Sequence, residues 1–495
     1  MGEGQQILAV DQGTSGTKAV VFDREGRIVS KAASALNSLY PRPGFVEQDP
    51  LEIYRNVLES VGRCLAEAGG KGGAGLRACG LSNQRETFLL WDDRGQPLCR
   101  AIVWQCKRSI AVCGRLKQSG LEEEIRRRTG LIVDPYFSGT KLIWLAEHDP
   151  DIRRAVKSGA AYFGTVDTWL LYRLSAGKVY RTDFTNACRT LFFNLETLDW
   201  DRELLREFGL EGLNLPEAHP SSFDFGESDF EGLLDRPIPI GSMVGDSHGA
   251  AFGEGCFSSG AAKATLGTGC SILLNTEGRR VTSRNGMVTT ICWSTGDRVD
   301  YALEGIIVTA GAAVQWLRDQ LGLVGRSGQT EAMARAVADN NGVYLVPAFS
   351  GLGAPHWKMS ARAAIVNLTF DCNRNHVVRA ALESVAYQIR DVVTAMESDS
   401  GLALKALAVD GGMTANRFVM QFLADLLGTP VIGSGIEEVS ALGAAWLAGL
   451  QSGLYGSIGE LERLSVQRRV FEAGEDRGCV EGWYEGWREA VRRVY

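Results

Sequence analysis

The strongest constraint on this chain is a unit that occurs twice. Ile7-Leu8-Ala9-Val10 reads as an apolar strand, and Asp11-Gln12-Gly13-Thr14-Ser15-Gly16-Thr17-Lys18 as a turn of small and hydroxyl residues. Ala19-Val20-Val21-Phe22-Asp23 reads as a second strand. Arg24-Glu25-Gly26-Arg27 then leads into a third, Ile28 to Lys31, so the N-terminal segment predicts a β-meander. The middle of the chain repeats the form: Ala261–Leu266, the turn Gly267-Thr268-Gly269, then Cys270–Leu274. Two copies, each opening one half, predict a duplicated architecture.

A chain of 495 residues divides naturally into two large domains. The boundary is expected around Gly253-Glu254-Gly255, giving domains 1–254 and 255–495. Helices are expected between the strands. Pro50–Ala68 carries an apolar period near 3.6 and stops at Gly69-Gly70; Asn375–Met396 and Asn416–Leu427 are amphipathic. Ser440–Gly449, rich in Ala, Gly and Leu, reads as a closely packed buried helix. The glycine-rich stretch Gly69–Gly75 reads as a surface turn.

Several classes of function are disfavoured. A net charge of −7 without a basic stripe argues against nucleic acid and anionic membranes as partners. No apolar run is long enough to span a bilayer, and Met1–Gln6 has no basic leader region, so a cytoplasmic protein is expected. Eleven cysteines without a C-x-x-C pair read as reduced thiols, and the five scattered histidines show no zinc-ligand spacing.

The first turn has what phosphate binding requires: converging backbone N–H groups, small residues that permit close approach, and hydroxyl donors in Thr14 and Ser15. Gly16 completes the turn and Lys18 offers a point charge. Asp11, at the strand end, suits a Mg²⁺ ion held directly or through water. Taken alone, the turn fits an ordinary hairpin equally well, and it is not a Walker A loop. Leu266-Gly267-Thr268-Gly269 is its counterpart. A third piece, Val409-Asp410-Gly411-Gly412-Met413-Thr414-Ala415-Asn416, is a strand ending in a double glycine before a helix, where a ring or sugar can lie on the backbone.

These pieces, in this order, resemble the two phosphate motifs and the adenosine motif of the actin-like ATPase superfamily. Further motifs narrow the likeness to the glycerol kinases of the FGGY carbohydrate kinase family. They include Asn83-Gln84-Arg85-Glu86-Thr87, Ala101–Cys106, Asp134-Pro135-Tyr136-Phe137-Ser138-Gly139-Thr140-Lys141 and Phe163–Leu170. Tyr301–Gly305, Val346–Phe349, Gly351–Pro355 and Ala441-Leu442-Gly443-Ala444-Ala445 continue the series.

The resemblance implies an α/β fold of two actin-like (ribonuclease H-like) domains, each a mixed sheet flanked by helices, around a central cleft. It implies ATP and Mg²⁺ as cofactors and glycerol as the small-molecule substrate. Arg85 and Glu86 match the pair that binds the polyol, a donor and an acceptor suited to adjacent hydroxyls. Trp104 and Tyr136 match groups near its carbon backbone. Asp246 matches the catalytic base, and Asp11 the residue that holds Mg²⁺. Thr14, Ser15, Gly267, Thr268, Gly311, Gln315, Gly412 and Asn416 match nucleotide contacts. Family members are often homodimers or homotetramers.

The sequence departs from the family at Ser247, where a glutamine that contacts glycerol normally follows the catalytic aspartate. It departs again at Ser271, where an aromatic residue normally walls the pocket. Both changes leave room for a four- or five-carbon polyol or ketose, the alternative substrate class. His248 either compensates for the lost contact or packs behind the site. Asn367 replaces a glycine and tolerates a left-handed backbone. Neither Glu231–Arg236 nor Phe471–Arg477 matches the family's regulatory segments for fructose 1,6-bisphosphate or a phosphotransfer protein. An ATP-driven conformational protein without small-molecule transfer is the reading from another class.

Overall fold

The computed structural model describes residues 5–69, 73–464, 468–474 and 478–495. Residues 1–4, the centre of the Gly69–Gly75 stretch and the last part of Phe471–Arg477 lie outside the described residues. The fold is α/β, with mixed sheets and flanking helices, as expected.

Two compact units result. The first comprises Met1–Gly255, Thr290–Tyr301 and Glu438–Ser465; the second comprises Cys256–Thr289, Ala302–Glu437 and Val466–Tyr495. A single cut at 254/255 therefore omits two later segments that pack with the first unit. The reason for one of them is visible in the helix Val439–Gln451. Its Gly443 lies so close to the helix Asp246–Gly253 that an added Cβ would stand 1.9 Å from the Gly249 carbonyl oxygen.

The sheet of the first unit has the order Glu227–Ser228, Ile238–Gly245, Leu76–Asn83, Gln6–Gln12, Gly16–Phe22, Ile28–Ala35. The three strands Ile238–Gly245, Leu76–Asn83 and Gln6–Gln12 run parallel, while the meander that follows Gln12 is antiparallel. Ile7-Leu8-Ala9-Val10 is buried throughout, as expected of a strand covered on both faces. Ile28–Ala35 extends beyond the expected Lys31 and alternates buried with exposed residues from Ser30 onward, the period-2 pattern of an edge strand. Pro50–Glu67 is the helix that covers this sheet. Asp49 caps it by accepting from the Leu51 N–H, Pro50 sits in the first turn, and Ile53, Tyr54, Val57, Val61 and Cys64 form its buried stripe.

The second sheet has the order Val288–Ser294, Val299–Ile307, Cys270–Glu277, Ala261–Leu266, Ala406–Asp410, Val431–Ser434, Arg468–Phe471. Its hairpin Ala261–Leu266/Cys270–Glu277 is antiparallel, and Ala261–Leu266, Ala406–Asp410 and Val431–Ser434 run parallel. The two sheets thus share a central plan: an antiparallel hairpin beside parallel strands, with an antiparallel edge strand beyond them. That is the duplication expected from the two turns. The long helix Arg374–Ser400 buries one face among Leu407, Val409 and Leu423, and is capped by Asn373. Asn367 is left-handed, with φ 63°. Among the described residues no helix is long and apolar enough to cross a membrane.

Candidate active site

Strand register brings the first group of candidate residues together. Gln12 and Gly245 are both in register with Asn83, so three parallel strands end at one level. Ligands of open α/β sheets bind beyond such carboxyl ends. Asp11 sits at the end of the first strand, Arg85 and Glu86 just past the second, and Asp246 at the start of the helix after the third. Residues more than 200 positions apart in sequence thus share one edge.

The Arg85 Nε lies 3.3 Å from Asp246 Oδ1, and the Ser247 backbone N–H donates to the same oxygen at 2.6 Å. Arg85 is buried, whereas the Asp246 side chain is 40% exposed. Gly245 is required here: a Cβ at this position would stand 2.7 Å from Arg85 Cγ. His248 is wholly buried, with Nε2 3.3 Å from Arg85 Nη1 and Nδ1 3.2 Å from the Cys292 carbonyl. It packs behind the site and orients the guanidinium.

Glu86 has a left-handed backbone, φ 60°, rare for a non-glycine residue and typical of functional sites. Its Oε1 accepts from Arg189 Nε at 2.6 Å, both side chains being buried. Its carbonyl accepts from Ser138 Oγ at 2.8 Å. Trp104 and Tyr136 meet edge-on, ring centroids 5.5 Å apart, and Trp104 Nε1 donates to Thr14 Oγ1 at 2.9 Å.

In the first turn, the Gly13 N–H bonds to the Gly16 carbonyl at 2.9 Å, and the Ser15 carbonyl accepts from Leu36 N–H at 3.0 Å. A Cβ on Gly16 would stand 2.7 Å from the Ser34 oxygen. Lys18, read as a phosphate charge, forms an ion pair with Glu438 Oε2 at 2.5 Å while its side chain stays 45% exposed. Asp11 accepts from Ser82 Oγ at 2.8 Å. Burial pushes its carboxyl up to about 6, and the charge of Asp246 adds to the rise. A cation beside these two carboxylates would relieve both effects, so the donor set fits a hard divalent ion.

In the second unit the nucleotide candidates gather around a single cavity. Gly267, Thr268, Gly311, Gln315, Gly412 and Asn416 all line a space of about 430 Å³. Gly311 opens a helix against the turn: its N–H donates to the Gly267 oxygen at 2.9 Å, and a Cβ would stand 2.6 Å from that atom. Asn416 caps the helix Arg417–Leu427 and its Nδ2 donates to Thr330 Oγ1 at 3.2 Å. Ser271 also belongs to this unit, its hydroxyl donating to Glu304 Oε1 at 2.9 Å.

Sequence reasoning missed the segment Arg181–Thr190. Asp183 caps the short helix Phe184–Ala187, Thr185 Oγ1 accepts from the Gly245 N–H at 2.9 Å, and Asn186 exchanges two hydrogen bonds with Asn83. Arg189 completes it by holding Glu86. The signal was an Asp-x-Thr-Asn cap at Asp183–Asn186, with the charged Arg189 three residues on and the apolar Leu191-Phe192-Phe193 just beyond Thr190. Ser327, Thr330 and Glu331 of the nucleotide cavity were also missed; they open the short helical segments Ser327–Gln329 and Thr330–Arg335, which carry no motif of their own.

Comparison with known proteins identifies the family to which this fold belongs. The N-terminal domain model of the FGGY family of carbohydrate kinases matches residues 6–253, and the C-terminal domain model matches residues 262–452. A glycerol kinase of Symbiobacterium thermophilum is 48% identical over 489 residues, covering 99% of this chain and 98% of that protein. A glycerol kinase of Thermoanaerobacter pseudethanolicus is 46% identical over 489 residues, covering 99% of this chain and 98% of that protein. The crystal structure of Plasmodium falciparum glycerol kinase with ADP matches with a TM-score of 0.94 at 35% identity, covering 100% of this chain and 99% of that one.

Proposed function

The chain belongs to the FGGY family of carbohydrate kinases, and on that footing we propose that it transfers the γ-phosphoryl group of MgATP to glycerol, giving sn-glycerol 3-phosphate and ADP. The observation that carries this reading is the gathering of Arg85, Glu86, Trp104, Tyr136 and Asp246 in the first unit, with Arg85 3.3 Å from Asp246.

Glycerol offers adjacent hydroxyls that both donate and accept. Arg85 supplies donors and Glu86 an acceptor, while the Trp104 and Tyr136 rings cover its carbon backbone. Asp246 accepts the proton of the attacking hydroxyl and aims that oxygen in line. Arg85 and the Ser247 N–H both engage Oδ1, so Oδ2 is the atom presented to the substrate. The transition state of phosphoryl transfer is loose, so the proton moves late and positioning dominates over basicity.

Gly267, Thr268, Gly311, Gln315, Gly412 and Asn416 hold the nucleotide in the second unit; Thr14, Ser15 and Gly16 form a turn in the first unit whose chemistry suits phosphate. Asp11 would hold Mg²⁺, which supplies positive charge to the phosphate oxygens when bound. Lys18 serves the turn through its tie to Glu438.

The test is a panel of polyols and ketoses assayed by ADP formation. Glycerol gives the highest kcat/KM, and product analysis shows phosphate on a terminal carbon. A higher kcat/KM for a four- or five-carbon substrate would overturn the choice of glycerol. ATP turnover indifferent to every polyol would overturn transfer itself.

A further inference from the structure

We propose that Lys141 is a positioning residue for the polyol subsite, holding the loop that presents Tyr136. This rests on the reading of Tyr136 as a substrate contact given above.

Lys141 lies in the first turn of the helix Ser138–His148, and its side chain is fully buried. Its Nζ donates to the carbonyl oxygens of Pro135, Tyr136 and Phe137, at 2.6, 2.7 and 3.0 Å. An ammonium has three N–H donors, and all three are used on consecutive residues of one loop. Those bonds fix the orientation of three successive peptide planes, and with them the direction in which the Tyr136 side chain leaves the backbone.

The opposite side of the loop is tied by Asp134, whose Oδ1 accepts from the Tyr136 N–H at 2.9 Å and whose carbonyl accepts from the Phe137 N–H at 3.3 Å. Ser138 continues the connection to the Glu86 carbonyl. Lys141 therefore meets Tyr136 through the backbone and Glu86 through Ser138, without touching the substrate.

Burying an ammonium is costly, and burial pushes this one down to about 7. A methionine would fill the same space without that cost. What the lysine adds is the set of three hydrogen bonds, and these act on the loop rather than on the core.

The test compares wild type, Lys141→Met and Lys141→Gln by steady-state kinetics on the full chain. Lys141→Met raises the KM for glycerol tenfold or more while the KM for MgATP stays within twofold. Lys141→Gln retains two N–H donors and gives a smaller rise, threefold or more. If the methionine variant does not fold, the glutamine variant alone decides. In a Tyr136→Ala background, Lys141→Met adds little further loss, because both act on the same contact. An unchanged glycerol KM in a folded variant, an equal change in both KM values, or additive effects would overturn the proposal. A wild type with no polyol-dependent turnover would overturn the kinase reading along with it.

Discussion

The Nε1–H of Trp104 donates to Oγ1 of Thr14 at 2.9 Å, joining a residue read as a polyol contact to one read as a phosphate contact. The two ligands therefore share a hydrogen bond in the protein before either arrives. Trp104→Phe keeps the aromatic wall and removes this donor. A neutral hydrogen bond contributes about 0.5–1.5 kcal/mol, so a loss of up to about tenfold is expected. It should appear in the KM for MgATP as well as that for glycerol, whereas Tyr136→Phe should move the glycerol KM alone. Equal nucleotide affinity in wild type and Trp104→Phe, measured by calorimetry, would contradict the coupling.

Asp246→Asn keeps the shape of the carboxylate proposed as the base and removes its basicity. Transfer to glycerol should fall by about 10²–10⁴-fold. The Gly267–Asn416 group lines a cavity in the other unit, so ATP binding should change little. Rates near wild type would remove Asp246 as the base.

Arg189 holds Glu86 from within the protein, and both side chains are buried. Arg189→Met leaves a carboxylate without its main partner, a change that costs about 3–5 kcal/mol at comparable buried pairs. The variant should unfold at markedly lower denaturant concentration and lose glycerol affinity. The double variant Arg189→Met/Glu86→Gln should recover much of the stability but not the affinity.

Gly443→Ala places a methyl group against the Gly249 oxygen, at 1.9 Å before relaxation. The helices Val439–Gln451 and Asp246–Gly253 must move apart, and overpacking of this kind costs about 1–3 kcal/mol or more. Because the second helix begins with Asp246, kcat should fall together with the thermal midpoint. Gly482→Ala is the control, since a Cβ there meets nothing within 4 Å.

Asp183 gives a pH signature. Burial, reinforced by the charge of Asp167, pushes its carboxyl up to about 7 from an ordinary 3.8. Between those values the folded state holds a proton that the unfolded state has lost. The associated stability is fully present in acid and is lost as pH rises through about 7. Asp183→Asn cannot titrate here. The unfolding free energy of wild type minus that of the variant should therefore decrease from pH 4 to pH 7 and level off above. A flat difference would show that the group ionises at its ordinary pH, and a rising one that folding lowers its pKa; either would contradict the shift.

The duplicated turns and the helix stops were legible because they are local. Small residues at a turn, the glycines after Ala68 and the apolar period that opens at Asn416 all act on neighbours in sequence. The close packing of Ser440–Gly449 was legible too, because only Ala and Gly permit such an approach. The fate of Lys18 was not: its partner Glu438 is 420 residues away, and nothing near Lys18 announces it. The same holds for Arg189, whose role depends on the strained Glu86 backbone beyond a different strand.

The family, the two-fold plan and the candidate residues for the chemistry were readable along the chain, because motifs record local backbone and ligand requirements. Tertiary structure alone decided which of them meet. Strand register aligned Asp11, Arg85 and Asp246 on one edge, while the packing of separate elements returned Val439–Gln451 to the first unit and set Arg189, His248 and Lys141 against the residues proposed to meet the substrate or the loop that carries one of them. Those three are defined by buried hydrogen bonds across separate elements, and a bond of that kind leaves no periodicity or spacing in the chain.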